Sequence, residues 1–127
     1  MACEYLKDCG YKILNRNVKE KWGEIDIIAL DKDRTVVFVE VKTRRNLQSL
    51  FHVKHGTQNS SQLNPEENIS AAKLKKMQRT ALLYAGSHSE LITDKKGWRI
   101  DAIAIDILTD EENNVVDYSL RHYENIG

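Results

Sequence analysis

The sequence predicts a small mixed α/β fold in which helices cover a β-sheet. Residues 24–30 and 36–42 are rich in Ile and Val and flank a polar turn, which is typical of a β-hairpin. Residues 70–85 carry apolar side chains at helical spacing, which predicts an amphipathic helix packed on the sheet. Residues 98–108 alternate well enough to predict a further strand.

The length and composition of the chain restrict the class of protein. A chain of 127 residues is long enough to bury a core and fits one domain, residues 1–127. With 41% hydrophobic and 30% charged residues, the composition excludes a disordered chain. No apolar run approaches the roughly 18 residues of a membrane span, and the N-terminus lacks the apolar block of a signal peptide. We therefore expect a cytoplasmic protein with no membrane partner, whose Cys3 and Cys9 are reduced.

The first elements follow from local patterns. Residues 2–9 share an apolar face at helical spacing, and Gly10 predicts the end of that helix. Residues 11–14 predict a short strand, and residues 15–22, which are polar and basic, predict its end and a loop. The hairpin comes next, and its turn of five residues is short enough to connect two antiparallel strands directly.

The second half of the chain begins with a polar segment without periodicity, residues 46–68. Its content of Gln, Ser, Asn and Gly predicts a long mobile loop beside the charged end of the hairpin. Ser70 is the expected N-cap of the following helix. Residues 118–123 predict a last strand after residues 98–108.

Four charged residues interrupt the most apolar part of the chain. With a turn of five residues, Asp26 lies opposite Glu40, and Glu24 lies opposite Lys42. Directly opposed residues share a face of the sheet, and so do residues two apart on one strand. The four charges are therefore expected to converge at one end of the hairpin, on one face.

Such a convergence suits a divalent metal site. Two opposed carboxylates repel each other, which raises a pKa or demands a cation. Mg²⁺ or Mn²⁺, bound by one or two carboxylates together with waters and phosphate oxygens, would remove the repulsion. Lys42 would then hold a water or a phosphate oxygen, with Glu24 as an auxiliary group. The alternative is a salt-bridged strand end, in which Lys42 neutralises Glu40 or Glu24 and Asp26 faces solvent.

An aspartate, a hairpin and then Glu-Val-Lys is a pattern that resembles the PD-(D/E)xK nuclease superfamily. More narrowly, the chain is similar to the YraN-like family of bacterial proteins, which are predicted endonucleases. The matching segments span most of the chain: GEIDIIA, FVEVKTR and WRIDAIAID, with Tyr5-Leu6, Gly10-Tyr11, Asn17, Lys73, Ala81 and Tyr84. The family pattern also has a glutamate three residues before the alanine matched by Ala2. That position precedes Met1, and Glu4 does not match it.

The resemblance implies a restriction-endonuclease-like core, in which helices flank a central mixed β-sheet. It implies Asp26 and Glu40 as metal ligands, Lys42 as the catalytic lysine, and the main-chain carbonyl of Val41 as a third ligand. It also implies a nucleic-acid partner, for which we expect DNA first, and the residues themselves do not distinguish DNA from RNA. The sequence leaves open whether the protein is a monomer or a homodimer.

Basic residues near the hairpin are candidates for phosphate contact. Arg44 and Arg45 follow the hairpin directly, and Lys73 is near it by its position in the family pattern. These residues either bind the nucleic-acid backbone or form a solvated surface. Asp101, on an apolar strand, is expected to be paired with Arg99 or Lys73 in a structural role.

Three functions remain open at this point. The first is a metal-dependent endonuclease that hydrolyses phosphodiester bonds, which Asp26, Glu40 and Lys42 favour. The second is a nucleic-acid-binding module of the same fold that cuts weakly or not at all. The absence of the glutamate on the first helix would favour this second function. The third is a protein-interaction domain with an ion-paired hairpin. Only the first requires tight coupling to a divalent metal.

Overall fold

Five strands and two helices make up the part of the chain that the structure describes. The structure is a computed structural model, and it describes residues 1–21, 23–47, 69–91 and 97–127. The strands are β1 (Lys12–Glu20), β2 (Gly23–Leu30), β3 (Val36–Leu47), β4 (Trp98–Thr109) and β5 (Val115–Tyr123). The helices are α1 (Ala2–Asp8) and α2 (Ala71–Ser87), and a 3-10 turn follows α2 at Ser89–Leu91.

The strands form one mixed sheet in the order β1-β2-β3-β4-β5. β3 and β4 are parallel, from Val36↔Trp98 to Leu47↔Thr109, and the other neighbouring pairs are antiparallel. Parallel strands require a crossover connection, and α2 lies in the one between β3 and β4. A mixed sheet flanked by helices confirms the predicted α/β class and is consistent with a restriction-endonuclease-like core.

The two helices pack on opposite faces of the sheet. On the α1 face, Leu6 packs in a cluster with side chains such as Val39. On the α2 face, Met77 and Ala81 pack with Phe38. Burial of each large apolar side chain contributes about 1.5–3 kcal/mol, so both faces of the sheet stabilise the fold. Among the described residues, no helix is long and apolar enough to cross a membrane.

The N-terminal helix is confirmed, but the strand after it is longer than predicted. β1 continues through residues 15–20, which were predicted as a strand end and loop. It is an edge strand, paired with β2 alone, and its pairing extends to Glu20↔Gly23. Most of its polar side chains are exposed, so they do not interrupt the backbone ladder. Cys3 and Cys9 are free and half-buried.

The second half of the chain is close to prediction. Ser70 caps α2, because its Oγ accepts a hydrogen bond from the Lys73 amide at 3.1 Å. β5 begins at Val115, three residues before the predicted start. β3 reaches Leu47, so its end includes the first two residues predicted as loop. Residues 48–68, the rest of the predicted loop, lie outside the described residues, so the mobility of that loop stays a prediction.

Candidate functional site

The hairpin of β2 and β3 opens where its charged residues begin. The predicted register is confirmed as far as the pair Ile27↔Val39, where the ladder ends. Beyond it, the Oδ2 atom of Asp26 accepts a hydrogen bond from the amide of Val41 at 2.8 Å. A side chain thus takes the place of the next backbone partner. The hairpin pattern had predicted that Asp26 and Glu40 pair in the ladder. This prediction is wrong, because the ladder ends before it reaches them.

Irregularities in both β1 and β2 coincide at this point. Ile25 packs on the α2 face and Ile27 on the α1 face, although strict alternation would give them the same face. β2 therefore changes its orientation at Asp26. In β1, Asn17 lies between the partners of Ile25 and Ile27 and has φ of 51°, a left-handed conformation that asparagine tolerates better than most residues. The distortion of both strands accompanies the turn of Asp26 towards β3.

Glu40 is the buried acid of this region, with 8% of its side chain exposed. The Nζ atom of Lys73 donates a hydrogen bond to its Oε1 atom at 2.9 Å. This bond with Glu40 is the main cause that raises the pKa of Lys73, against the opposing effect of burial. The negative charge of Asp26 acts in the same direction. Lys73 therefore interacts with both acids, Glu40 and Asp26, at the open end of the hairpin.

Alternation along β3 gives the face of the sheet to which the side chains of Glu40, Val41 and Lys42 point. Phe38 packs on the α2 face, so alternation puts Glu40 and Lys42 on that face as well. The side chain of Val41 packs against the cluster on the α1 face. Only the backbone of Val41 therefore approaches Asp26.

The other predicted site residues differ in the face of the sheet that they occupy. Glu24 is exposed and adjoins Ile25, which packs on the α2 face, so alternation directs Glu24 away from that face. Arg45 is an exposed residue of β3, and alternation puts it on the α1 side. Arg44 is on the α2 face, where its Nε atom donates to Oδ1 of Asp106 at 3.2 Å.

The oxygen atoms at the open end fit a hard divalent cation. Because the amide and carbonyl of one strand residue point to the same side, the Val41 carbonyl points towards β2, as its amide does. The two carboxylates of Asp26 and Glu40 and this carbonyl are the kind of ligands that Mg²⁺ and Mn²⁺ prefer. In this structure the cation that partners Glu40 is the ammonium group of Lys73.

A second cluster of titratable groups lies on the α1 face around Asp101, which is fully buried. Its carboxylate accepts hydrogen bonds from Arg99 Nε at 2.9 Å and from the Asn125 amide at 2.9 Å, and it lies 2.7 Å from His122 Nε2. Burial acts to raise the pKa of Asp101, but these hydrogen bonds outweigh burial and lower it. The predicted pairing of Asp101 with Arg99 is confirmed.

This second cluster has the composition of a metal site. One ligand atom each from Asp101, His122 and Glu124 lies within 4.8 Å of the others, so the group could hold a metal ion. Both oxygens of Asp101 already have partners, however, and the Arg99 guanidinium is against them, which disfavours another cation. Tyr5 Oη lies 3.0 Å from His122 Nδ1, so the cluster also ties α1 to β5.

Sequence reasoning did not identify His122, Glu124 or Tyr5 as members of one cluster. They come from opposite ends of the chain, and no local spacing relates them to Asp101. Lys73 was identified by its position in the family pattern as a phosphate-binding candidate, but its ion pair with Glu40 had not been predicted.

Comparison with known proteins finds relatives along the whole chain. The model of the uncharacterised protein family UPF0102 matches residues 1–105. A UPF0102 protein of Fervidobacterium nodosum is 32% identical over 127 residues, which are 100% of this chain and 76% of that protein. One of Clostridium botulinum is 38% identical over 125 residues, 98% of this chain and 85% of its own. One of Thermotoga maritima is 40% identical over 84 residues, 66% of this chain and 63% of its own.

Proposed function

Because the chain belongs to the uncharacterised protein family UPF0102, whose name assigns no activity, we propose a function from the site itself. The protein is a cytoplasmic, metal-dependent endonuclease that hydrolyses phosphodiester bonds in nucleic acid, with DNA as the first candidate. The observation that carries this proposal is the hydrogen bond between Asp26 and the Val41 amide, beside Glu40, where the hairpin ladder ends. In the salt-bridged strand end that is the alternative, Asp26 would face solvent instead of accepting this hydrogen bond.

The reaction adds water to phosphorus, breaks one P–O bond and returns a proton to the leaving oxygen. Asp26, Glu40 and the Val41 carbonyl would hold Mg²⁺ or Mn²⁺, which lowers the pKa of a bound water and neutralises phosphate charge. Lys42, on the same face as Glu40, donates a hydrogen bond to the water or to a phosphate oxygen, where negative charge develops. Lys73 adds a second positive group on this face.

Substrate binding uses basic groups on the α2 face. Lys73 and Arg44 share that face with Glu40, so both are suited to contact backbone phosphates. Arg45 is on the other side of β3, so it has a solvated role in this proposal. Such contacts are independent of base identity and make binding depend strongly on salt.

A second candidate is a nucleic-acid-binding module that does not cleave. The ion pair of Lys73 with Glu40 favours it, because the lysine already neutralises a carboxylate that the metal would need. Both candidates predict binding of nucleic acid, and only the first predicts cleavage.

The test is a cleavage assay on linear duplex, branched duplex, single-stranded DNA and RNA, with Mg²⁺, Mn²⁺ or EDTA. We expect cleavage of at least one substrate that requires the divalent ion and is abolished by Asp26→Asn. Arg45→Gln is the matched surface control and should cleave as the wild type does. Binding without cleavage of any substrate would favour the second candidate, and cleavage by Asp26→Asn at the wild-type rate would exclude this site.

A further inference from the structure

Two arginines share one carboxylate on the α2 face. Arg44 Nε lies 3.2 Å from Asp106 Oδ1, and Arg121 Nη2 lies 3.0 Å from Asp106 Oδ2. The side chains of Arg44 and Arg121 are 41% and 34% exposed. Two guanidinium groups and one carboxylate carry a formal net positive charge, and both arginine side chains are partly open to solvent.

The sheet register puts this trio beside the proposed catalytic lysine. Ala104 of β4 is the Cα partner of both Lys42 and Arg121, so these two residues flank one small side chain in the same row. With neighbouring strands about 4.8 Å apart, their Cα atoms are separated by roughly 10 Å. Arg44 is two residues beyond Lys42 on β3, or about 7 Å along the strand.

These separations fit the backbone of a nucleic acid. Phosphates recur about every 3.4 Å of helix axis along one strand and lie farther apart than that in space, so basic groups roughly 7–10 Å apart can contact neighbouring phosphates of one strand. The planar guanidinium group suits bidentate contact with a phosphate. Because Asp106 holds Arg121, the side chain loses less conformational freedom when it binds a ligand than an unrestrained arginine would.

We propose that Arg121 binds a backbone phosphate of the substrate, near the phosphate that lies at Lys42. The proposal rests on the proposed function, because it takes the substrate to be nucleic acid. Arg121 is on β5, beyond the residues 1–105 that the family model matches. It extends the interaction surface across three strands, from β3 to β5.

The test measures binding of a labelled DNA duplex by fluorescence anisotropy over a series of salt concentrations, in EDTA to prevent cleavage. Arg121→Gln should weaken binding about tenfold and reduce the slope of log affinity against log salt by about one. Arg16→Gln is the matched control, since Arg16 is an exposed arginine on β1, at the opposite edge of the sheet. It makes the same change in net charge and should leave affinity and slope nearly unchanged.

Arg121→Lys keeps the charge and should fall between the wild type and Arg121→Gln, because an ammonium lacks the planar fork. Thermal unfolding of each variant shows whether it is folded. If the wild type binds DNA and Arg121→Gln binds equally well with the same slope, the inference is wrong and the proposed function stands. If the wild type binds no nucleic acid, both are wrong. If vesicles of anionic lipid bind as tightly and show the same loss with Arg121→Gln, nucleic acid is not the specific ligand.

Discussion

The Nζ atom of Lys73 lies 2.9 Å from the Oε1 atom of Glu40, so a lysine of α2 neutralises the most buried acid of the candidate site. The lysine is in the first turn of the helix, where a positive charge is unfavourable to the helix dipole. The attraction of Glu40 offsets this cost. A metal ion on Glu40 would remove that role and leave Lys73 available to a phosphate.

Lys73→Met should destabilise the protein in EDTA, because it leaves the buried Glu40 carboxylate without its cation. Since 43% of the Lys73 side chain is exposed, we expect a loss of about 1–2 kcal/mol in the free energy of unfolding, less than for a fully buried pair. Saturating Mg²⁺ should restore the stability. Urea unfolding with EDTA and with Mg²⁺ measures both effects, and Lys75→Met on the exposed part of α2 is the control. Equal stabilisation of wild type and variant by Mg²⁺ would show that Lys73 and the metal do not compete.

The strong elements of the fold are predictable because their signals are local. Runs of Ile and Val predict β2 and β3, and the length of the turn between them fixes the register that Ile27↔Val39 confirms. Apolar residues at helical spacing predict α2, and Ser70 predicts where it begins. Each of these inferences needs only residues close together in the chain.

The opening of the hairpin could not be predicted in the same way. Alternation continues through Asp26 in the sequence, whereas the break coincides with the distortion of β1 at Asn17 and with the hydrogen bond from the Val41 amide. The polar residues 15–20 conceal most of β1, because an edge strand can be held by its backbone pairing alone. The pairing of Glu40 with Lys73 depends on how α2 docks, which no local pattern specifies.

Asn17 provides a test of the distorted strand. Its φ of 51° is costly for a β-branched residue, so Asn17→Val should lower the free energy of unfolding by about 1–2 kcal/mol. Asn17→Gly should remain within about 0.5 kcal/mol of the wild type, because glycine adopts positive φ readily. If the distortion turns Asp26 towards β3, Asn17→Val should also weaken Mn²⁺ binding while Asn17→Gly does not. Urea unfolding and Mn²⁺ titration provide the two readouts, and equal behaviour of both variants would contradict the idea.

Asp101 should control the stability of the protein in acid. Its folded pKa is below the ordinary value of 3.8, so as the pH falls through this range the unfolded state binds the proton first. The stability that Asp101 contributes is therefore present above pH 3.8 and is lost below it, towards the folded pKa. Asp101→Asn should lower the free energy of unfolding at neutral pH by about 3–5 kcal/mol, because Arg99 loses a buried partner. Unfolding measured from pH 6 down to pH 3, with Asp117→Asn as an exposed control, should show a flatter acid limb for Asp101→Asn than for the wild type and the control.

If the hairpin is the catalytic site, substitution of Lys42 should impair the chemical step, whereas substitution of Asp26 should impair metal binding as well. Lys42→Ala removes a group that acts on the developing charge, so the single-turnover cleavage rate should fall by about 10²–10⁴. Substrate affinity should change far less, because Lys73, Arg44 and Arg121 supply most of the phosphate contacts. Lys42→Arg should not restore the rate, since a planar fork does not replace a compact ammonium.

Asp26→Ala should weaken Mn²⁺ binding and cleavage together, because it removes a ligand and also the partner of the Val41 amide. Single-turnover rates, substrate-binding isotherms and Mn²⁺ titrations of the same preparations separate these effects. Arg45→Ala is the control for loss of a positive charge close to Lys42 in the chain. If Lys42→Ala cleaves as fast as the wild type, the hairpin is not the catalytic site. Asp26, Glu40 and Lys42 would then form only a salt-bridged strand end. Loss of cleavage in Asp26→Ala with unchanged Mn²⁺ affinity would instead place the metal elsewhere and leave Asp26 as a structural support of β3.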